Sequence, residues 1–211
     1  MSRIAICIPS RGGQMEVATG FDVCSMTAYT LKNTKHDLNF YTAMGTLIFD
    51  QRNSIVETAI KDRCDYVMFI DGDMRFPKDA LVRLLKHNKD IVGVNATTRS
   101  EPVKPTAKNF KIEEDGKVNW YPIYSKGKKG IEIADGIGCG VVLVKIDVFK
   151  KMEMPYYFFE TLQKKAVLGE DIYFCIKAKD AGFDTWVDHD LSMEIGHVGS
   201  YIYGWQNIEM K

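Results

Sequence analysis

Two aspartates separated by one glycine, Asp71 and Asp73, directly follow the apolar run Tyr66-Val67-Met68-Phe69-Ile70. Carboxylates at i and i+2 on a tight turn can both face a hard divalent cation and the diphosphate it binds. The spacing alone is weak. With 17 aspartates in 211 residues such a pair arises by chance, and a second occurs at Asp188-His189-Asp190. Asp-Gly is also an ordinary turn signal. The position after a buried strand is what favours a site, because open α/β sheets bind ligands beyond the carboxyl ends of their strands.

Three further groupings could carry chemistry. Glu170 and Asp171 follow Gly169 where a helix is expected to start. Acids there commonly serve the helix dipole. A carboxylate so placed can also stay ionised and take a proton from an attacking hydroxyl. His197 lies in Gly196-His197-Val198-Gly199, where glycines let the chain bend around a metal, although a lone histidine is more often structural. His36, His87 and His189 lack that setting. Pro9-Ser10-Arg11-Gly12-Gly13 forms a glycine-containing loop that can approach a nucleotide. It matches neither GxGxxG nor a Walker loop, which argues against a dinucleotide-binding or ATPase reading.

The elements that must position these groups alternate. Residues 4–8 read as a buried strand, 17–33 as a helix with mixed signals, and 38–41 as a second strand. Asp50 can cap a helix with Ile55, Val56, Ala59 and Ile60 on one face. Residues 66–70 are the strongest strand, followed by a helix from Pro77 with Leu81, Leu84 and Leu85 inward. Residues 91–94 and 141–144 read as core strands, 170–179 as a helix with Ile172, Cys175 and Ile176 inward, and 183–187 as a last strand. Between them, 96–130 hold three prolines and an Asp115-Gly116 turn expected to close a hairpin. The alternation predicts an α/β layer fold with a largely parallel sheet.

Composition sets the bounds. At 45% hydrophobic and 27% charged residues the chain is a folded domain, not a disordered one. The longest stretch without a charged side chain is residues 195–208, too short and polar for a membrane span. The first residues lack the apolar run of a signal peptide, so a cytoplasmic location is expected, the host cytoplasm if the source is viral. The five cysteines form no CxxC and read as reduced core thiols. The 28 basic and 28 acidic side chains cancel, but unevenly. Residues 1–98 carry 12 basic and 11 acidic groups, 99–130 carry 8 and 4, and 131–211 carry 8 and 13. A solvated flap and an anion-facing surface are the two readings of the middle segment.

Taken in order, Gln51-Arg52-Asn53, Asp65–Pro77, Asp90–Val94 with Arg99 and Pro102, Asp135–Val144 and Gly169–Gly199 resemble a nucleotide-sugar-dependent glycosyltransferase of the GT-A type, in its compact, phage-encoded, family-two-like branch. The resemblance implies one GT-A domain: a nucleotide-sugar half (1–98), a basic hairpin insertion (99–130) and an acceptor-side catalytic half (131–211). It implies Mn2+ or Mg2+ held by Asp71, Asp73 and His197, and a UDP-sugar gripped by Pro9, Ser10, Arg11, Arg52, Asp71 and Gly72. It assigns Arg99, Gly138 and Gly140 to the acceptor side and the acidic pair Glu170-Asp171 to catalysis, with Asp171 the base of an inverting transfer. No QxxRW-type segment of processive synthases occurs, so polymer synthesis is not implied. The phage-like branch suggests a hydroxymethylated pyrimidine of viral DNA as acceptor. Lys126, Lys128, Lys129, Trp120, Tyr121 and Tyr124 would suit a phosphate backbone and a flipped base. A glycan or protein acceptor is the alternative, and a nucleotidyltransferase or a non-catalytic nucleotide-sugar-binding module are alternatives of other classes.

Overall fold

The computed structural model describes residues 1–162 and 166–208. The first strand, β1 (Arg3–Ser10), is covered on both faces, which is why its apolar residues run on without alternating. Helix α1 (Val17–Asn33) returns the chain to β2 (Asp37–Met44), an edge strand whose half-exposed pattern alternates instead. Helix α2 (Ile48–Lys61) leads to β3 (Tyr66–Ile70), then the short β4 (Met74–Arg75), α3 (Ala80–Lys86) and β5 (Ile91–Val94). Asp50 is not the cap of α2: the helix starts at Ile48 after Leu47, and Asp50 sits in its first turn, where its charge suits the dipole. Pro77 lies in the turn before α3, its carbonyl accepting from Ala80 N–H.

The hairpin forms where the Asp-Gly turn places it, from β6 (Lys108–Ile112) and β7 (Val118–Pro122), with Gly116 at φ 78°. After β8 (Ile131–Ala134) come β9 (Val141–Lys145), α4 (Ile146–Lys151), and the ribbon of β10 (Glu160–Leu162) and β11 (Ala166–Leu168). Helix α5 (Glu170–Asp180), β12 (Thr185–Asp188), α6 (His189–Ser192), β13 (Gly196–Val198) and β14 (Ile202–Tyr203) complete the order.

Seven strands form the central sheet in the order β2-β1-β3-β9-β5-β12-β8. Five share one direction; β9 and β8 run against it. β9 sits between β3 and β5, and Gly93 of β5 lets it come close: a Cβ there would stand 3.0 Å from the Val141 carbonyl and 2.8 Å from Ile137 Cδ1. Alternate residues of β1 feed separate cores. Ala5 and Cys7 pack with Val56, Phe69, Phe149 and Phe174 under α2 and α5. Ile4 and Ile6 pack with Val23, Met26, Leu81 and Leu191 under α1, α3 and α6. Among the described residues no helix is long and apolar enough to cross a membrane.

The 99–130 segment is not a loose flap. Val103 and Tyr124 pack with Tyr203, Trp205 and Ile208 of the C-terminal stretch in a small separate core, and Trp205 Nε1 donates to the Asn95 carbonyl at 3.1 Å. Asn95 Nδ2 donates to the Ile123 carbonyl, and His189 Nδ1 lies 2.9 Å from Ser125 Oγ. Part of the segment's positive charge is met locally: Lys128 pairs with Glu132 and Lys129 with Asp190, while Lys108 lies over the Trp120 ring.

Candidate active site

A cavity of about 980 Å³ opens at the carboxyl ends of β1 and β3. The loop after β1 forms one wall, with Gly12 and Gly13 at φ 69° and 75°, a left-handed backbone that glycine adopts without strain. Ser10 Oγ pins this loop by donating to the Gln14 carbonyl at 2.8 Å, and Glu16 N–H ties it to the Gly72 carbonyl at 2.7 Å. Gly72 packs against the loop: a Cβ there would lie 3.4 Å from the Gln14 oxygen, an ordinary contact. Pro9, Ser10, Arg11 and Gly72 thus line the same cavity as Arg52, Asp71, Asp73, Arg99, Glu170 and His197.

The two aspartates face different partners. Asp71 N–H donates to the Gly140 carbonyl at 2.9 Å, and its Oδ1 accepts from Arg52 Nη2 at 2.7 Å. Gly140 therefore holds the backbone of the Asp71 turn, with Met74 Sδ pressed 3.1 Å from where a Cβ would be. Asp73 stands apart from that contact. Its Oδ2 accepts from Arg99 Nη1 at 2.6 Å, and its Oδ1 lies 3.4 Å from His197 Nε2. Arg99 thus lies at the Asp73 end of the cavity. β13 pairs with β4 so that His197 is opposite Met74, and Val198 N–H donates to the Asp73 carbonyl. This three-strand ribbon of β14, β13 and β4 carries His197 to the acid from more than a hundred residues away.

His197 Nδ1 lies 2.7 Å from the Thr97 carbonyl, so that nitrogen carries the proton and Nε2 is left to face Asp73. Burial acts to raise the Asp73 carboxyl, but the hydrogen bond from His197 and the charges of His197 and Arg99 outweigh it and hold the group below its ordinary value. Burial acts to lower His197; Asp73 and the Thr97 carbonyl outweigh it and raise it. An ionised carboxylate and an oriented imidazole on one wall are a donor set that fits Mn2+ or Mg2+, the nitrogen favouring Mn2+. Asp71, turned to Arg52, is not gathered with them, and no group of three His, Cys, Asp or Glu side chains is poised around a common point among the described residues.

Arg52 is the buried charge of the site, 2% exposed, under the rings of Phe69 and Tyr157. Burial acts to lower its pKa, and Asp71, foremost among the neighbouring groups, raises it. Its Nε lies 3.9 Å from Glu170 Oε1, and among the described residues Nε and Nη1 find no hydrogen-bond partner. One guanidinium therefore stands between the turn after β3 and the start of α5. A hydrophobic-pattern reading of α2 has no means of placing such a residue inward, yet Gln51, Arg52 and Asn53 are all buried.

Glu170 lines the cavity and Asp171 points to its flank. Burial, then the charge of Asp171, raises Glu170. Burial raises Asp171 as well, against the Ile172 N–H that donates to its Oδ1 at 2.8 Å. A Cβ on Gly138 would sit 3.7 Å from Asp171 Oδ2 and 3.3 Å from Thr106 Oγ1, a buried hydroxyl without a partner among the described residues. Gly138 thus keeps a niche between the two open. Thr106 carries no sequence signal and was found only through this contact. A shelf of aromatic rings joins α2 and α5: Phe49 of α2 meets Phe158 and Phe159 at 5.1 and 5.5 Å between ring centres, and Phe158 meets Tyr173 of α5. Phe158 and Phe159 are exposed.

No protein-family model matches the chain, and no curated protein matches it in sequence. Solved structures do match in fold. A197 from STIV superposes with a TM-score of 0.56 at 17% identity, over 94% of this chain and 86% of that one. A mutant of Drosophila beta1,4-galactosyltransferase 7, in complex with manganese, UDP-Gal and xylobiose, superposes with a TM-score of 0.52 at 16% identity, over 95% and 72%. The mostly parallel sheet flanked by helices is the GT-A glycosyltransferase fold.

Proposed function

We propose that this chain is a metal-dependent glycosyltransferase that moves a sugar from a nucleoside-diphosphate sugar, a UDP-sugar, to an acceptor hydroxyl. The observation that carries the reading is the convergence of Asp73 and His197 on one wall, Arg52-bound Asp71 on the floor and Glu170 opposite, in one cavity at the strand ends. The manganese and UDP-Gal of the galactosyltransferase complex supply the ligand classes. A divalent ion held by Asp73 and His197 would neutralise charge on the departing diphosphate.

The rest of the work belongs to the protein. The loop of Pro9, Ser10 and Arg11 grips the nucleoside, and Arg11 adds positive charge at the cavity wall. Arg52 fixes Asp71 on the donor side and draws Glu170 toward the same point, so donor and acceptor ends keep one register. Asp171 acts as the general base: its raised pKa suits proton abstraction, and its Oδ2 lies against the bare face of Gly138. The acceptor attacks the anomeric carbon as the bond to the diphosphate breaks, with inversion.

The donor half is tested by thermal shift. UDP with Mn2+ at about 100 times its Kd should stabilise the fold by roughly 2.7 kcal/mol, a rise of about 5–10 °C in Tm for a chain of this size. The rise should shrink without metal. Absence of a shift with every nucleoside diphosphate, metal present or not, would refute the reading.

For the acceptor we favour a sugar ring over DNA. Of the three lysines on which a DNA surface would depend, Lys128 and Lys129 are paired with Glu132 and Asp190, whereas the exposed rings of Phe158 and Phe159, packed on Phe49, can stack on the apolar face of a pyranose. Phe158→Ala with Phe159→Ala should raise the acceptor KM about tenfold and leave the donor Kd unchanged. A hydroxymethylated duplex turned over with a steep salt dependence, indifferent to both substitutions, would restore the nucleic-acid acceptor.

A further inference from the structure

Three arginines line the cavity, and their charges are unequally committed. Arg52 is buried and held between Asp71 and Glu170. Arg11 sits on the exposed loop after β1. Arg99 has one ion-pair partner among the described residues, Asp73, and its side chain is 53% exposed. Its Nη1 takes Asp73 Oδ2 at 2.6 Å while His197 Nε2 faces Oδ1 at 3.4 Å. The carboxylate is thus bracketed, and the cation that neutralises it is the chain's own guanidinium.

Neither backbone depends on that pair. Thr98 N–H donates to the Lys104 carbonyl at 2.8 Å, and Lys104 N–H returns to Thr98 Oγ1 at 3.0 Å, which closes the 99–103 loop at its base. The Tyr201 hydroxyl donates to Glu101, and Val103 is buried with Tyr203 and Trp205. Asp73 is fixed separately, its carbonyl accepting from Val198 N–H at 2.7 Å. A half-exposed ion pair adds little stability of its own. The contact can therefore exchange while the loop stays in place, and a released guanidinium remains at the cavity wall.

We propose that Arg99 is a latch on the metal site, an inference that rests on the glycosyltransferase reading above. Without a divalent ion, Arg99 closes on Asp73. A second, doubly charged cation at the same carboxylate repels the guanidinium, so metal binding releases Arg99, and the freed side chain turns to the donor's diphosphate. A planar guanidinium suits two phosphate oxygens at once. Mn2+ and the diphosphate are therefore each bound better in the presence of the other. Arg99 belongs to the donor side, where the resemblance had given it to the acceptor.

Isothermal titration of Mn2+ alone, and of UDP in saturating Mn2+, tests this. Arg99→Ala should bind Mn2+ alone about tenfold more tightly, because no competing state remains. It should bind UDP with saturating Mn2+ about tenfold more weakly, having lost a charged hydrogen-bond donor. Arg99→Lys keeps the charge without the fork and should fall between on both counts. The Tm of Arg99→Ala without metal should stay within about 3 °C of wild type. Unchanged or weaker Mn2+ binding by Arg99→Ala overturns the latch, as does an unchanged UDP affinity. An effect confined to acceptor KM overturns it too and returns Arg99 to the acceptor side. If wild type and Arg99→Ala both bind neither Mn2+ nor UDP, the latch falls together with the glycosyltransferase reading.

Discussion

Asp73→Ala is expected to lower sugar transfer on the order of 1,000-fold and to remove the dependence of UDP affinity on Mn2+. The carboxylate is already ionised in the fold, held low by His197 and Arg99 against the burial that would raise it. Removing it leaves Arg99 and His197 facing each other with no anion between them, so the cavity loses the group that would attract a cation. His197→Ala should act in the same direction but less severely, because a water can take the place of one nitrogen ligand. Isothermal titration of UDP with and without Mn2+ separates the parts. Near wild-type turnover by Asp73→Ala in metal-free buffer would remove Asp73 from the site.

Asp171→Asn should slow the chemical step by about 100- to 10,000-fold while UDP affinity stays near wild type, because Asp171 lies beside Gly138 and Glu170, its neighbour, is the residue that lines the cavity. The same substitution should raise Tm at neutral pH. Burial lifts the Asp171 carboxyl above its ordinary value of about 4, so the folded state holds its proton more tightly than the unfolded chain does. Stability from this group is therefore lost as pH rises through the interval between the two values, and the neutral amide escapes that loss. Asn Oδ1 can still accept from Ile172 N–H. Wild-type activity should rise with pH on an ionisation displaced upward from an ordinary carboxylate. Glu170→Gln is the control, expected to perturb the donor side as well through Arg52. A variant with wild-type single-turnover rate and a lowered Tm would show Asp171 to be a helix-start residue and no base.

What could be read beforehand follows from physical range. Asp71 and Asp73 were legible because a long buried strand ended at a turn, both local signals. Glu170 and Asp171 were legible as a helix start, and Glu170 is indeed the first residue of α5. His197 showed as an oddity between glycines, but Thr97, which orients it, is a carbonyl a hundred residues away. Arg52 entered through resemblance alone, since its burial depends on Asp71, Phe69 and Tyr157 arriving from other elements. The aromatic shelf draws residues 49, 158, 159 and 173 from three stretches, none with a periodic mark. Strands as short as β4 and β13 offer too few residues for alternation to show, although they deliver the histidine. The direction of β9 was equally hidden, because a fully buried strand has the same composition whichever way it runs.

That strand bears on how the molecule is made. β9 fills the gap between β3 and β5, pairing with both. A ribosome that has released the first 98 residues has produced β1, β2, β3 and β5, yet β3 and β5 have no strand between them to pair with until Val141–Lys145 emerges. Until then two interior edges stand open, each a row of unpaired backbone groups of the kind that recruits foreign strands. The N-terminal strands therefore cannot complete the sheet before the later ones are made. Closing the sheet brings β9 back to strands made far earlier in the chain, the long loop closure that slows folding of such topologies.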